Sequence, residues 1–91
     1  MSMIGVSVAS SKSLQLEATQ EAYDRAIVKL NLLLIDDKTH EKAVRTKLFE
    51  VMDERNELGD YSTSELYIMQ KSIEEMVYDF LTGLNEQAVV V

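Results

Sequence analysis

Residues 62–84 read STSELYIMQKSIEEMVYDFLTGL, and this stretch decides the class of fold. It opens on Ser62, Thr63, Ser64 and Glu65. That is the pattern of a capping box, in which a serine hydroxyl and a glutamate three residues later each satisfy the other's backbone N–H at a helix start. Leu66, Met69, Ile73, Met76, Val77, Phe80 and Leu84 then recur at helical steps, mostly of three and four, the period of one face of an α-helix. The spacing predicts a helix of about five turns, with Gly83 or Asn85 as its end.

Working back toward the N-terminus, residues 14–35 carry Leu16, Tyr23, Ile27, Leu30 and Leu34 at the same period, with Ala26 and Leu33 widening the stripe. This is an amphipathic helix of about six turns. Ser13 is placed to cap it, and Glu17 and Glu21 complement the positive end of its dipole. Leu32, Leu33, Leu34 and Ile35 are consecutive, and one narrow stripe cannot hold four consecutive residues, so this end of the helix is expected to be surrounded. Asp36 and Asp37 follow, a residue type whose carboxylate accepts bonds from free N–H groups, and they predict a sharp turn with a second helix starting there. Val44, Leu48, Val51, Met52 and Leu58 form the stripe of that helix, and Gly59 fits a left-handed position just past its end. No alternating run of strand length lies between residues 14 and 84, which argues against a sheet.

The expected fold is therefore all-α, a three-helix hairpin-like bundle formed by a single helical domain over residues 13–85. Residues 1–12 and 86–91 are read as tails. Within them, residues 3–8 and 88–91 are uncharged and β-branched, hence β-prone. Such a tail either frays, pairs with the other, or adds to a partner as a strand.

The 91 residues hold 16 acidic and 9 basic side chains, a net charge of −7, and 46% are apolar. That is one small domain, far from the composition of disorder, and a domain of this size folds with little margin. Burial against a partner would add to it, and an oligomer, most simply a dimer, is expected. Without cysteine there is no disulfide framework, no thiolate zinc site and no cysteine nucleophile. The first cation is Lys12, so a basic leader is absent from the opening residues and no cleavable signal peptide is read. Apolar runs reach only four residues, as at 32–35, against the roughly 18 of a membrane-spanning helix. The expectation is a cytoplasmic protein or a member of a soluble assembly, with no membrane span.

Catalytic chemistry finds little to work with. The one imidazole, His40, sits in the polar start of the second helix, where an exposed or capping role accounts for it. Asp36, Asp37, His40 and Glu41 are explained by helix capping and dipole compensation ahead of metal binding. No Glu-x-x-His pair, EF-hand loop, P-loop or Gly-x-Gly-x-x-Gly occurs. No enzyme activity, cofactor or metal is expected. Lys38, Lys42 and Arg45 do fall along one side of the second helix with Lys47 nearby, but they alternate with Asp36, Asp37 and Glu41. A charge of −7 also opposes approach to a phosphate backbone, so nucleic acid is not the favoured partner.

Protein contacts remain. Met3, Met52, Met69 and Met76 lie near the apolar stripes, and methionine suits adaptable partner grooves as well as cores. Asp53, Glu54, Glu57 and Asp60 end the second helix, while Glu65, Glu74, Glu75 and Asp79 mark the polar side of the third. Acid at a helix C-terminus opposes the dipole by a few tenths of a kcal/mol. Solubility accounts for such a surface, and a basic partner would account for it too.

The run Leu66, Gln70, Ile73 within residues 65–73 resembles the Leu-x-x-x-Gln-x-x-Ile rhythm in the second helix of type III secretion needle and inner-rod subunits. Residues 26–34, 43–52 and 66–77 resemble the order of a helix, a short helix and a final helix in the small enterobacterial family of biofilm and stress connector proteins, which are acidic helical dimers. Neither is taken as an identification, and both imply a small helical protein acting through protein contacts. The functional expectation is an interaction module acting by helix packing, whether regulator, adaptor or assembly chaperone. A structural subunit of a secretion or phage assembly is the alternative, and a DNA-associated or biofilm and stress regulator the second alternative. Leu16, Tyr23, Ile27, Leu30, Leu34, Val44, Leu48, Met52, Leu66, Met69, Ile73, Val77 and Phe80 are the residues expected to form the core or the interface.

Overall fold

The computed structural model describes the backbone of residues 2–36 and 38–90, and the side chains of residues 12–36 and 38–84. Helix α1 covers Ser2–Asp36, α2 covers Glu41–Asn56 and α3 covers Thr63–Val90, with a short 3-10 turn at Leu58–Asp60 leading into α3. The described residues contain no strand.

Local chemistry explains where α3 begins. The Ser62 Oγ accepts the Glu65 N–H at 3.2 Å and the Ser62 carbonyl accepts the Leu66 N–H at 2.9 Å, so the capping serine satisfies a free donor of the first turn. The start of α2 differs from expectation, because Asp36 completes α1 and α2 opens only at Glu41. Asp37 lies outside the described residues. The His40 carbonyl accepts the Val44 N–H at 3.0 Å and the Lys38 carbonyl accepts the Glu41 N–H at 3.5 Å. Reversing the chain between antiparallel helices takes a short connection, and the residues read as the head of α2 are spent on it.

Glycine ends neither later helix. Gly59 lies inside the 3-10 turn, and no described glycine has a positive φ. The chain instead tightens after Asn56, with Glu57, Asp60 and Tyr61 donating to the Glu54, Glu57 and Leu58 carbonyls, while fully buried Leu58 pins the turn to the core. Helix α3 passes straight through Gly83 to Val90. A glycine inside a helix costs about 1 kcal/mol, whereas burying a leucine returns about 1.5 to 3 kcal/mol, and Leu84 beyond it is buried.

The stretches read as β-prone tails also continue the helices, since α1 starts at Ser2 and α3 runs to Val90; Met1 and Val91 lie outside the described residues. Ser13 is consequently interior to α1 and caps nothing. Once residues 14–35 have nucleated a helix, each added residue costs only propagation, which outweighs the mild β preference of valine and isoleucine.

Cross-helix contacts set the directions. Tyr23 and Asp24 of α1 meet Glu54 and Arg55 at the far end of α2, so α2 runs back along α1. Thr19 meets Leu66 and Arg25 meets Glu74, so α3 runs parallel to α1. The result is an up-down-up bundle, a rod of 63 × 19 × 17 Å. Because Leu66 in the first turn of α3 lies beside Thr19, midway along α1, the N-terminal part of α1 continues roughly four turns past the start of α3.

Candidate interaction surfaces

One core joins the three helices. Tyr23, Leu30, Val44, Leu48, Leu66, Ile73 and Val77 are buried in it, and Leu16, Ile27, Leu34, Met69 and Phe80 are half-buried against it. Met52 stands apart, 41% exposed on α2, so as an apolar stripe residue it is available to an interface rather than to the core. Val51, Leu58 and Leu84 complete the interior as their spacing implies. Periodicity of large side chains gave little reason to place Ala22 and Thr19 there, yet both are buried. Small residues on α1 let α3 approach closely. Thr19 lies within hydrogen-bond reach of two carbonyls, those of Gln15 at 2.8 Å and Leu66 at 3.1 Å, and it accepts from the Gln15 amide at 3.1 Å. That amide also donates to the Gln70 Oε1 at 2.8 Å. A buried hydroxyl costs stability unless bonded, so this cluster fixes the register of α3 on α1.

A second set of polar contacts fixes α2. The Tyr23 hydroxyl donates to the Glu54 Oε2 at 2.9 Å, and burial together with the Glu54 carboxylate drives its pKa far above the usual value of 10.0. Beside it the Arg55 guanidinium grips both carboxylate oxygens of Asp24, the Nη2 contact at 3.2 Å. Arg25 and Glu74 form a looser pair across α1 and α3 at 3.8 Å, while Arg45 to Glu41 at 2.7 Å and Lys47 to Glu50 at 3.0 Å are close pairs confined to α2. Two cations of the second helix considered for phosphate contact are thus already set against carboxylates.

Two surfaces stand out. The first is on α1, where Val28, Leu32 and Ile35 are 56%, 56% and 69% exposed. At about 100° per residue these positions fall on the side of α1 opposite Ala22, Ala26 and Leu30. From Leu30 to Ile35 no residue is charged. The four consecutive apolar residues were expected to be surrounded; within one chain Leu33 and Leu34 are partly covered while Leu32 and Ile35 face solvent.

The second surface is a cleft between α2 and α3. Each of these helices leans on α1, and they scarcely touch each other. An open hollow of about 510 Å³ lined by Lys47, Ser72, Glu75, Met76, Asp79 and Phe80 adjoins a smaller one of about 180 Å³ reaching Tyr23, Val51, Glu54 and Ile73. The Lys47 Nζ lies across it, 5.8 Å from the centre of the Phe80 ring. Three of its carboxylates, Glu54, Glu75 and Asp79, stand out in the sequence, while Glu50 and the cleft itself do not, because facing helices are a tertiary fact.

Among the described residues no three potential metal ligands come together, and no helix is long and apolar enough to cross a membrane. His40 lies half-buried just ahead of α2. No known protein family matches this chain, and no curated protein or solved structure does either.

Proposed function

We propose that this chain is a protein–protein interaction module without catalytic activity, acting by helix packing and associating with a second copy of itself through the outer side of α1. The observation that carries the reading is the uncharged stripe Val28, Leu32 and Ile35, exposed at one end of an otherwise strongly acidic rod. Two copies carrying −7 each repel over most of their surfaces. An apolar stripe free of charge is where they approach at least cost, and its spacing of four and three residues suits helix-on-helix packing. Regulator, adaptor and chaperone are all roles such a module serves.

Solution mass by light scattering, across a hundredfold range of concentration, tests this reading. A dimer is expected, reduced to monomer by Val28→Asp with Ile35→Asp while helicity is kept. A monomer at every concentration would overturn it. Ile73 is unsuitable for the same test, because at 3% exposure it belongs to the core and a charge there unfolds the bundle.

The rod shape favours a second reading, a structural subunit of an assembly. The part of α1 that continues past the start of α3 offers a helical surface to the next copy along an axis. Removing residues 1–11 separates the two: a dimer formed through residues 28–35 survives the deletion, whereas an assembly built through the extension is lost.

A further inference from the structure

We infer that the cleft between α2 and α3 is the seat of a fourth helix, supplied by a basic amphipathic segment of a different protein. The shape comes first. Two helices that pack closely on a third and only sparsely on each other leave the place that a four-helix arrangement fills. The floor of that place is apolar, with half-buried Met76 and Phe80 lying over the buried Val51 and Ile73, and its methionine is able to adapt to the side chains laid on it.

Charge selects the occupant. Glu50 and Glu54 line the α2 side and Glu75 and Asp79 the α3 side, four carboxylates against the lone cation Lys47. The ammonium of Lys47 sits over the Phe80 ring and 3.0 Å from Glu50, a position that a lysine or arginine of the incoming helix would share or take over. A second copy of this chain fits poorly, because on its exposed α1 surface Glu17, Glu21 and Asp24 outnumber Arg25 and Lys29, and Arg25 already faces Glu74. The inference rests on the interaction-module reading but not on self-association, which uses the opposite side of α1.

The test uses the full chain with its methionine methyl groups labelled for NMR. The probe is a synthetic peptide of about eighteen residues with leucine at positions i, i+3, i+4 and i+7 and lysine elsewhere. A second peptide carries glutamate for lysine. The lysine peptide is expected to shift the Met76 methyl while leaving that of Met52, outside the cleft, in place. Its affinity should fall about tenfold or more between low and moderate salt, and the glutamate peptide should not bind. Glu75→Lys with Asp79→Lys is expected to weaken binding about tenfold, and Glu17→Lys with Glu21→Lys on the outer side of α1 less than twofold. The proposal is overturned if the lysine peptide fails to bind, if Met52 shifts as strongly as Met76, or if the two double variants weaken binding alike. Solution mass measured on the same samples reports separately on self-association.

Discussion

Tyr23 buries its ring between α1 and α2 while its hydroxyl reaches the exposed Glu54 carboxylate. Its pKa is raised in the folded state, so folding favours the protonated phenol. The stabilisation is complete below pH 10.0, where the unfolded tyrosine also keeps its proton, and is lost as pH rises above that value toward the higher folded pKa. Urea unfolding should therefore show stability falling from about pH 10 upward, and falling less in Tyr23→Phe. At neutral pH the same substitution should cost about 1 kcal/mol, since the partner carboxylate is solvated and loses little. A second contrast separates two neighbouring leucines. Leu30 has no exposed surface and Leu32 is 56% exposed, so Leu30→Ala should lose about 2 to 5 kcal/mol and Leu32→Ala about 0.5 kcal/mol or less. Equal losses in denaturant melts would mean that α1 is turned differently about its axis.

At the scale of the element, α3 shows how a helix can pass through a residue that disfavours it. Gly83 has an ordinary helical backbone, and a Cβ placed there would meet nothing within 4 Å. Gly83→Ala is therefore expected to stabilise the protein by about 0.5 to 1 kcal/mol, through a less flexible unfolded chain and no clash in the folded one. A higher midpoint in urea with an unchanged slope would show it. A loss of stability would instead mean that α3 needs a break at this position. The same logic explains α1, whose N-terminal residues are poor helix formers on their own but extend a helix already nucleated over the amphipathic stretch.

At the scale of the whole molecule, 91 residues drawn into a rod of 63 × 19 × 17 Å have much surface for little interior. Leu14, Val28, Leu32, Ile35, Phe49, Tyr67, Ile68 and Tyr78 all remain exposed. Association that covers part of this surface stabilises the folded state by mass action. The melting temperature should then rise with protein concentration, and in the Val28→Asp, Ile35→Asp double variant it should not. A melting temperature independent of concentration in the unsubstituted protein would place the stripe outside any self-interface.

Features that depend on a few neighbouring residues were legible in the chain. The period of Leu66, Ile73, Val77 and Leu84 made α3 a helix with a buried face, and the serine at 62 set its first residue, because capping and amphipathicity are properties of a few adjacent residues. Helix ends were less legible: Gly59 and Gly83 carry the residue type of a stop signal, yet Leu58 and Leu84 beside them are buried, and burial outweighs a glycine preference. Which stripe residues face inward depends on how the helices pack. Tyr23 and Met52 read alike along the chain, and α2 covers the first while leaving the second at the surface. Packing also places Thr19 in the core, where carbonyls of two helices converge on one hydroxyl. The cleft follows the same rule. Its carboxylates come from residues 50 and 54 on one helix and 75 and 79 on another, and only packing both helices against α1 brings them to one opening.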